Sequence, residues 1–306
     1  MSLTARKAAA VVLAVATAVA LGACAADGEA ASDGAGNGTL DVVASFYPLA
    51  YLVEQVGGER VSVSSLTKPG AEPHDLELTA TDVASVADAD LVVYLSEFQP
   101  AVDEAVAAEA ADQAWDAAAY ADLSLKIEGG EGNTVDPHFW LDPQRYLDVS
   151  DALADALAEV DTAGADAFTA NAARLRAELE ALDDEWASGT ASCESRDLVT
   201  SHTAFGYLAD RYDFTQLGIA GLTPEAEPTP EALAAAADFV RDHSVRTIYF
   251  ETLVSPAIAE TVAAEAGADT AMLDPLEGLT DESAGGDYLE VMRTNLETVR
   301  RGQACT

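Results

Sequence analysis

Residues 165–187 read ADAFTANAARLRAELEALDDEWA, a stretch rich in alanine, leucine and charged residues without turn signals. Its large apolar residues recur at the spacing of one helix face: Phe168, Leu175, Leu179 and Leu182. A helix of this length would be about 34 Å long, since each residue adds about 1.5 Å. Gly164 separates it from a similar helical stretch that starts at Gln144. We therefore predict a rigid helical connector over residues 144–190.

On both sides of this connector, short apolar runs alternate with helical patterns. Residues 91–95 (LVVYL) are a strand candidate before it, and residues 197–201 (DLVTS) are one after it. Such alternation is typical of parallel sheets with helices on both faces. The sequence therefore predicts an α/β protein with one βα domain at residues 39–143 and another at residues 191–306.

The N-terminal residues have the features of an export signal. Two basic residues precede an apolar run over residues 8–23, which is shorter than the roughly 20 residues of a membrane span. Cys24 directly follows Leu-Gly-Ala, as in a bacterial lipobox. We predict a lipoprotein signal peptide at residues 1–23 with lipidation of Cys24, and an ordinary secretory signal is the alternative. Residues 24–38, rich in Gly, Ala and Asp, are predicted to form a flexible tether.

Charge and cysteine content narrow the class of protein further. The net charge of −39 disfavours binding to nucleic acid, and the scattered carboxylates are expected mainly to keep the surface soluble. With Cys24 used for lipid, Cys193 and Cys305 remain. Because exported proteins commonly form disulfides, we predict a bond between these two residues, with a pair of buried thiols as the alternative.

Three of the four histidines stand where metal ligands would be expected. His74 lies in a Pro- and Gly-rich loop, His138 in another Pro-containing loop, and His202 directly after a strand candidate. Glu251 and Asp274 also follow strand candidates, and sheets of this kind bind ligands beyond the carboxyl ends of their strands. Three imidazoles and one carboxylate would complete a tetrahedral site. We therefore predict these metal ligands: His74, His138, His202 and Asp274.

Glu251 has more than one possible role. It could accept the second ring N–H of a ligating imidazole, a common way to orient a histidine at a metal. It could also ligate the metal in place of Asp274. A carboxylate favoured by the positive end of the following helix is the third possibility. We favour the orienting role.

These motifs resemble those of the cluster A-I metal-binding lipoproteins, the solute-binding subunits of zinc and manganese ABC importers. Besides the lipobox, the resemblance rests on Pro-His-Asp at 73–75, Asp-Pro-His-Phe-Trp-Leu-Asp-Pro at 136–143, Ser-His at 201–202 with Ala-Phe-Gly-Tyr at 204–207, Pro-Glu-Ala-Glu-Pro at 224–228 and Leu-Asp-Pro-Leu at 273–276. It covers about residues 39–303. It implies two βα sandwich domains with parallel sheets, joined by one long rigid helix, with the metal in the cleft between them.

The resemblance also implies a function. It implies a receptor without catalytic residues, lipid-anchored to the outer face of the bacterial cytoplasmic membrane, that delivers metal to an ABC permease. We expect a monomer. Family members for manganese typically carry Glu at the position of His202, so we expect Zn²⁺ as the cargo and Mn²⁺ as the alternative. One departure is the segment 126–136, which is short and lacks the histidines that many zinc members carry there.

Two other classes of function remain open at this point. A zinc hydrolase would need an open fourth position for a metal-bound water, and the sequence contains neither HExxH nor G-x-S-x-G. An adhesin in which metal only stabilises the fold should unfold under chelation, whereas a transport receptor must stay folded without its cargo.

Overall fold

The computed structural model describes residues 38–130 and 132–306. The predicted signal peptide, the lipidation of Cys24 and, apart from Gly38, the predicted tether therefore lie outside the described residues. Within the described ranges, no helix combines the length and the apolar character that crossing a membrane requires.

The first lobe is built on a parallel four-stranded sheet. Its strands, in the spatial order β2-β1-β3-β4, are β1 (Leu40–Ala44), β2 (Val61–Ser65), β3 (Leu91–Tyr94) and β4 (Ala114–Asp116). Its helices are α1 (Tyr47–Gly57), α2 (Ala80–Asp88) and α3 (Pro100–Glu109). Val42 packs in one cluster with Leu52 of α1, and Val43 packs in another with Val86 of α2 and Val102 of α3. Successive side chains of a strand point to opposite faces, so helices cover both faces of the sheet, as predicted.

An antiparallel hairpin follows the first sheet. Strands β5 (Lys126–Gly130) and β6 (Gly132–Val135) pair within the segment 126–136, for which no hairpin was predicted. The segment is rich in glycine and polar residues and lacks the apolar alternation from which strands are predicted. The hairpin is therefore evident from its backbone pairing, whereas the pattern of its side chains does not predict it.

The connector consists of two helices that pack against each other, α4 (Pro143–Val160) and α5 (Ala165–Thr190). The short turn Thr162–Gly164 lies between them, at the predicted break. Helix α5 buries one face along its length, formed mainly by Phe168, Leu175, Leu179, Leu182 and Trp186. This face packs on α1 and α4, and near its end α5 also contacts the last helix of the chain. The long helix therefore touches both lobes.

The second lobe repeats the arrangement of the first. Its strands, in the spatial order β8-β7-β9-β10, are β7 (Asp197–Thr200), β8 (Thr215–Gly218), β9 (Thr247–Phe250) and β10 (Asp269–Met272), all parallel. Its helices are α6 (Gly206–Arg211), α7 (Pro230–Asp242), α8 (Ala257–Ala266) and α9 (Tyr288–Gly302). In both sheets the second strand lies outermost, followed by the first, third and fourth. The predicted fold class, two parallel-sheet α/β lobes with a long helix between them, is confirmed.

A disulfide closes the second lobe, and hydrogen bonds join the two lobes. A disulfide joins Cys193, just before β7, to Cys305, just after α9, as predicted. Between the lobes, Nε1 of Trp140 donates to the carbonyl oxygen of Pro275 at 2.8 Å, and the Tyr288 hydroxyl donates to the carbonyl oxygen of Trp140 at 2.5 Å. The turn that follows His138 is thereby fixed to the second lobe.

Candidate metal centre

His138 lies just after the hairpin, in the turn that leads into α4, and its side chain is fully buried. Its backbone N–H donates to Oδ1 of Asp136 at 3.0 Å, and its Nδ1 lies 2.7 Å from the same oxygen. Because a carboxylate only accepts hydrogen bonds, this contact selects the tautomer with the proton on Nδ1. The lone pair of Nε2 then points into the space between the lobes.

His202 follows β7 and is held in the same way by a different carboxylate. Its Nδ1 lies 2.5 Å from Oε2 of Glu251, and its backbone N–H donates to Oε1 at 3.1 Å. The Ser201 hydroxyl donates to Oε1 of Glu251 at 2.7 Å. Glu251 follows β9, so two neighbouring parallel strands bring the carboxylate and the imidazole together. These contacts are the geometry expected of the orienting role.

His74 lies in the loop between β2 and α2 and is less constrained. Its backbone N–H donates to Oε1 of Glu72 at 3.0 Å, while its ring packs edge-on against Phe98 with the centroids 4.7 Å apart. The side chain is 10% exposed, whereas those of His138 and His202 are fully buried. Within the described ranges, no carboxylate pairs with its Nδ1.

The three imidazoles converge on one carboxylate oxygen from the second lobe. Oε1 of Glu277 lies 3.2 Å from Nε2 of His74, 3.0 Å from Nε2 of His138 and 3.3 Å from Nε2 of His202. The four candidate ligand atoms all lie within 4.8 Å of one another. Neighbouring ligands of a tetrahedral zinc ion are separated by roughly 3.4 Å, given bonds of about 2.0–2.1 Å. The distances from Glu277 therefore fit a zinc ion placed between these atoms.

Asp274, the expected fourth ligand, does not join this group. Its Oδ1 accepts the backbone N–H of Leu276 and its Oδ2 accepts the Ser283 hydroxyl, both at 2.8 Å, while Asn295 bonds its backbone. Both carboxylate oxygens thus hold the loop after β10. Leu276 in that loop has a φ of 59°, and the bend brings the next residue, Glu277, to the histidines. In the structure it is Glu277, and not Asp274, that lies with the three histidines.

Sequence reasoning missed Glu277 because it searched for carboxylates directly after strands. Glu277 lies five positions after the end of β10, and only the backbone path through Leu276 directs it inward. The available signal was a second carboxylate in the otherwise apolar segment 273–279, since a buried charge is costly unless it has a partner. Glu277 is indeed almost fully buried.

With these tautomers, hydrogen-bond acceptors face one another at the centre of the group. With Nδ1 protonated in His138 and His202, both Nε2 atoms are acceptors, and they face a carboxylate oxygen that is also an acceptor. Within the part of the chain that the structure describes, Nε2 of His202 is buried without a hydrogen bond, since its 3.3 Å approach to Glu277 lacks the required alignment. A cation between these atoms, whether a proton or a metal ion, would satisfy them.

The pKa shifts follow from the same arrangement. Burial by itself would lower the pKa of His202, but the carboxylates of Glu251 and Glu277 outweigh burial and raise it to about 10. Burial would likewise lower the pKa of His138, which Asp136 and Glu277 instead raise. Burial would raise the pKa of Glu277, but the surrounding histidines hold it well below its usual range. The group therefore favours positive charge at its centre.

Comparison with known proteins gives a consistent result. Residues 42–302 match the family model described as ZnuA, zinc-uptake complex component A periplasmic. The zinc-binding protein AdcA of Streptococcus pyogenes serotype M6 is 35% identical over 287 residues, which cover 86% of this chain and 56% of AdcA. This chain thus spans little more than half the length of that relative.

A second relative matches over most of both chains. The high-affinity zinc uptake system protein ZnuA of Bacillus subtilis is 32% identical over 279 residues, covering 85% of this chain and 86% of that protein. Among solved structures, the Zn(II)-bound ZnuA-like domain of Streptococcus pneumoniae AdcA superposes with a TM-score of 0.74 at 35% identity, covering 87% of this chain and 99% of that one. The chain therefore belongs to the ZnuA family, within the cluster A-I solute-binding proteins that its motifs resemble.

Proposed function

We propose that this protein is the solute-binding receptor of an ABC importer, which captures Zn²⁺ outside the cytoplasm and delivers it to a membrane permease. The observation that carries the proposal is the convergence of three imidazole Nε2 atoms on one buried carboxylate oxygen at 3.0–3.3 Å. The zinc-binding names of the relatives AdcA and ZnuA support the same cargo.

The proposed ligands come from both lobes. The first lobe contributes His74 and His138, and the second contributes His202 and Glu277. Three nitrogens and one oxygen at tetrahedral spacing suit Zn²⁺, whereas Mn²⁺ prefers more oxygen ligands and a higher coordination number. The side chains of three of the four ligands are almost completely buried, which leaves little space for the water ligands that would complete a manganese site. Zinc is therefore the preferred cargo, with manganese as the alternative.

The proposed residues act in two ways. Nε2 of each histidine and a Glu277 oxygen would bind the ion directly. Asp136 and Glu251 would keep the Nδ1 protons of His138 and His202 in place, so that Nε2 of each ring already faces the position of the ion before it arrives and would give up any proton it carries when the ion binds. Little rearrangement of these two rings is then needed on binding.

We place the path of the cargo on the side of His74, the most exposed of the three histidines. The loop that bears it is held partly by Gln99, whose side-chain amide donates to the carbonyl oxygen of Pro73 at 3.2 Å and to the Thr67 hydroxyl at 3.0 Å. The connector α5 packs on both lobes, which opposes a wide hinge motion. Capture would then depend on movement of this loop.

The proposed cellular setting follows the sequence analysis. Cleavage after residue 23 and lipidation of Cys24 would anchor the protein to the outer face of the cytoplasmic membrane through the tether 24–38. The name zinc-binding lipoprotein of the AdcA relative from Streptococcus pneumoniae supports an anchor of this kind. The proposed partner is the ABC permease in that membrane, and the proposed receptor is a monomer with no catalytic residues.

The test is metal analysis followed by competitive titration of the chelator-stripped protein with Zn²⁺ and Mn²⁺. We expect one Zn²⁺ per chain, not displaced by Mn²⁺. Preference for Mn²⁺ would move the protein to the manganese branch, and no stoichiometric metal would overturn the proposal. The stripped protein should remain folded by circular dichroism, since unfolding on chelation would favour a metal-stabilised adhesin. Hydrolysis of ester or peptide substrates by the zinc form would favour the hydrolase.

A further inference from the structure

The two carboxylate oxygens of Asp136, a residue of the first lobe, differ in their hydrogen bonds. Its Oδ1 receives both the backbone N–H and Nδ1 of His138, at 3.0 and 2.7 Å. Its Oδ2 is buried and, in the described part of the chain, has no hydrogen-bond partner. The carboxylate is therefore anchored at one oxygen only, and its second oxygen must be held in place by packing.

The surface that packs against Oδ2 belongs to the second lobe. A methyl group added at Gly206, the first residue of α6, would lie 2.4 Å from Oδ2 of Asp136. Real Cβ atoms essentially never come closer than 3.0 Å to such a neighbour. Gly206 does not adopt the left-handed backbone conformation that favours glycine, because its φ is not positive. The close approach of Asp136 is therefore the feature that requires glycine here.

The next residue, Tyr207, holds the backbone of Asp136. Its hydroxyl donates to the carbonyl oxygen of Asp136 at 3.0 Å and accepts the backbone N–H of Leu125 at 3.3 Å. The backbone N–H of Asp136 also donates to the carbonyl oxygen of Leu125 at 3.0 Å. Tyr207 thus clamps the base of the hairpin next to His138, although it belongs to the lobe that carries His202.

We propose that Gly206 and Tyr207 are positioning residues for zinc binding, which act across the lobe boundary by holding Asp136 and, through it, the imidazole of His138. This inference rests on the proposed function, because it assigns His138 as a ligand. It adds a cross-lobe dependence: the start of α6, four residues after His202, sets the orientation of a histidine that belongs to the other lobe.

The first test is the Gly206→Ala variant, compared with Gly221→Ala as a matched control. A methyl group added at the control glycine would have no atom within 4 Å among the described residues, and this glycine does not need a positive φ. We expect Gly206→Ala to weaken zinc binding by about 10- to 100-fold, the usual cost of disturbing a residue that orients a metal-binding histidine. Gly221→Ala should bind like the original protein.

The second test is a double-mutant cycle with Asp136→Ala, which removes the oxygen that the new methyl group would meet. Asp136→Ala alone should weaken zinc binding by about 10- to 100-fold. If Gly206 acts through Asp136, adding Gly206→Ala to this variant should cost nothing further. An equal additional loss in both backgrounds would overturn the proposal, as would unaltered zinc binding by Gly206→Ala.

Spectroscopy separates misplaced ligands from general destabilisation. With Co²⁺ in place of zinc, the visible bands report the ligand geometry, so Gly206→Ala should change their position and intensity while Gly221→Ala leaves them unchanged. If Gly206→Ala does not fold, the double variant should still fold and bind like Asp136→Ala, and its failure to fold would overturn the proposal. Absence of zinc binding by the original protein would instead overturn the proposed function.

Tyr207→Phe removes only the hydroxyl and provides a milder test of the same idea. It should weaken zinc binding by less than Gly206→Ala, with a shift of the Co²⁺ bands in the same direction. Tyr249→Phe is the control, because Tyr249 is buried in the second lobe and its hydroxyl lies 3.4 Å from Nε2 of Gln303. Identical zinc affinities for the two variants would contradict a role for the Tyr207 hydroxyl.

Discussion

His202 and His74 face the same carboxylate oxygen, but their surroundings differ. The ring of His202 is fully buried and bonded at Nδ1 to Glu251, and His138 is held likewise by Asp136. His74 is partly exposed, and no carboxylate among the described residues holds its Nδ1; Glu72 accepts only its backbone N–H. Two imidazoles are thus set in place by the fold, while the third depends on a loop. The candidate metal centre therefore has a pre-formed part, which contains His138 and His202, and an adjustable part, which contains His74.

Removing one histidine from each part should produce the largest effects and different ones. We expect His202→Ala to reduce zinc affinity by far more than about 100-fold, because it removes a ligand and leaves the carboxylates of Glu251 and Glu277 without their shared cation. His74→Ala should retain weak zinc binding, because three pre-placed ligands remain. Isothermal titration of both variants measures this difference, and equal affinities would remove the distinction between the two parts.

The next largest effect concerns the two candidate carboxylates of the loop after β10. Glu277→Gln should lower zinc affinity by at least about 100-fold, since it removes the one charged ligand. Asp274→Asn should lower it much less, because an amide oxygen can still accept the backbone N–H of Leu276. Competition with a chromogenic chelator distinguishes the variants. A larger loss in Asp274→Asn would restore Asp274 as the ligand.

A smaller effect is expected from the carboxylates behind the histidines. Glu251→Gln should weaken zinc binding by about 10- to 100-fold, because it removes the charge that fixes the tautomer of His202. Glu72→Gln should change the affinity little, since the hydrogen bonds that Glu72 accepts within the described part of the chain come from the backbone N–H groups of Asp75 and His74. If Glu72→Gln weakened zinc binding as much as Glu251→Gln, the loop that carries His74 would belong to the pre-formed part.

The last prediction concerns the stability of the metal-free protein, and its dependence on pH. The pKa of His202 rises from its ordinary 6.5 to about 10 through Glu251 and Glu277, although burial opposes the rise. A raised pKa stabilises the fold fully below about pH 6.5 and loses this contribution as pH increases toward 10. Urea unfolding of the stripped protein should therefore show stability falling between pH 7 and 10. The slope should be smaller in His202→Ala, where the raised pKa of His138 still contributes, and an unchanged slope there would assign it to another group.

Much of the fold was predictable because its signals are local. The connector was visible in the spacing of Phe168, Leu175 and Leu182, and the parallel strands were visible as short apolar runs between helices. His202 and Glu251 were singled out because strand ends are recognisable in the sequence, and His74 and His138 because they lie in Pro-containing loops. These are properties of a few neighbouring residues, and packing of the two sheets does not alter them.

The parts that were missed depend on backbone paths and on contacts between lobes. Glu277 was not considered as a ligand, because nothing local signals the positive φ of Leu276 directly before it. The hairpin of β5 and β6 lacked an apolar pattern. The contact between Asp136 and Gly206 joins residues from different lobes, and no periodicity within one segment reports it.

The bond between Cys193 and Cys305 has a topological consequence for the second lobe. The two cysteines are 112 residues apart and enclose every strand and helix of that lobe, so the bond closes the lobe into a covalent ring. A protease that cut one of its loops would open the ring without releasing a fragment. A nicked lobe would keep its strands together and close again around its half of the candidate metal centre.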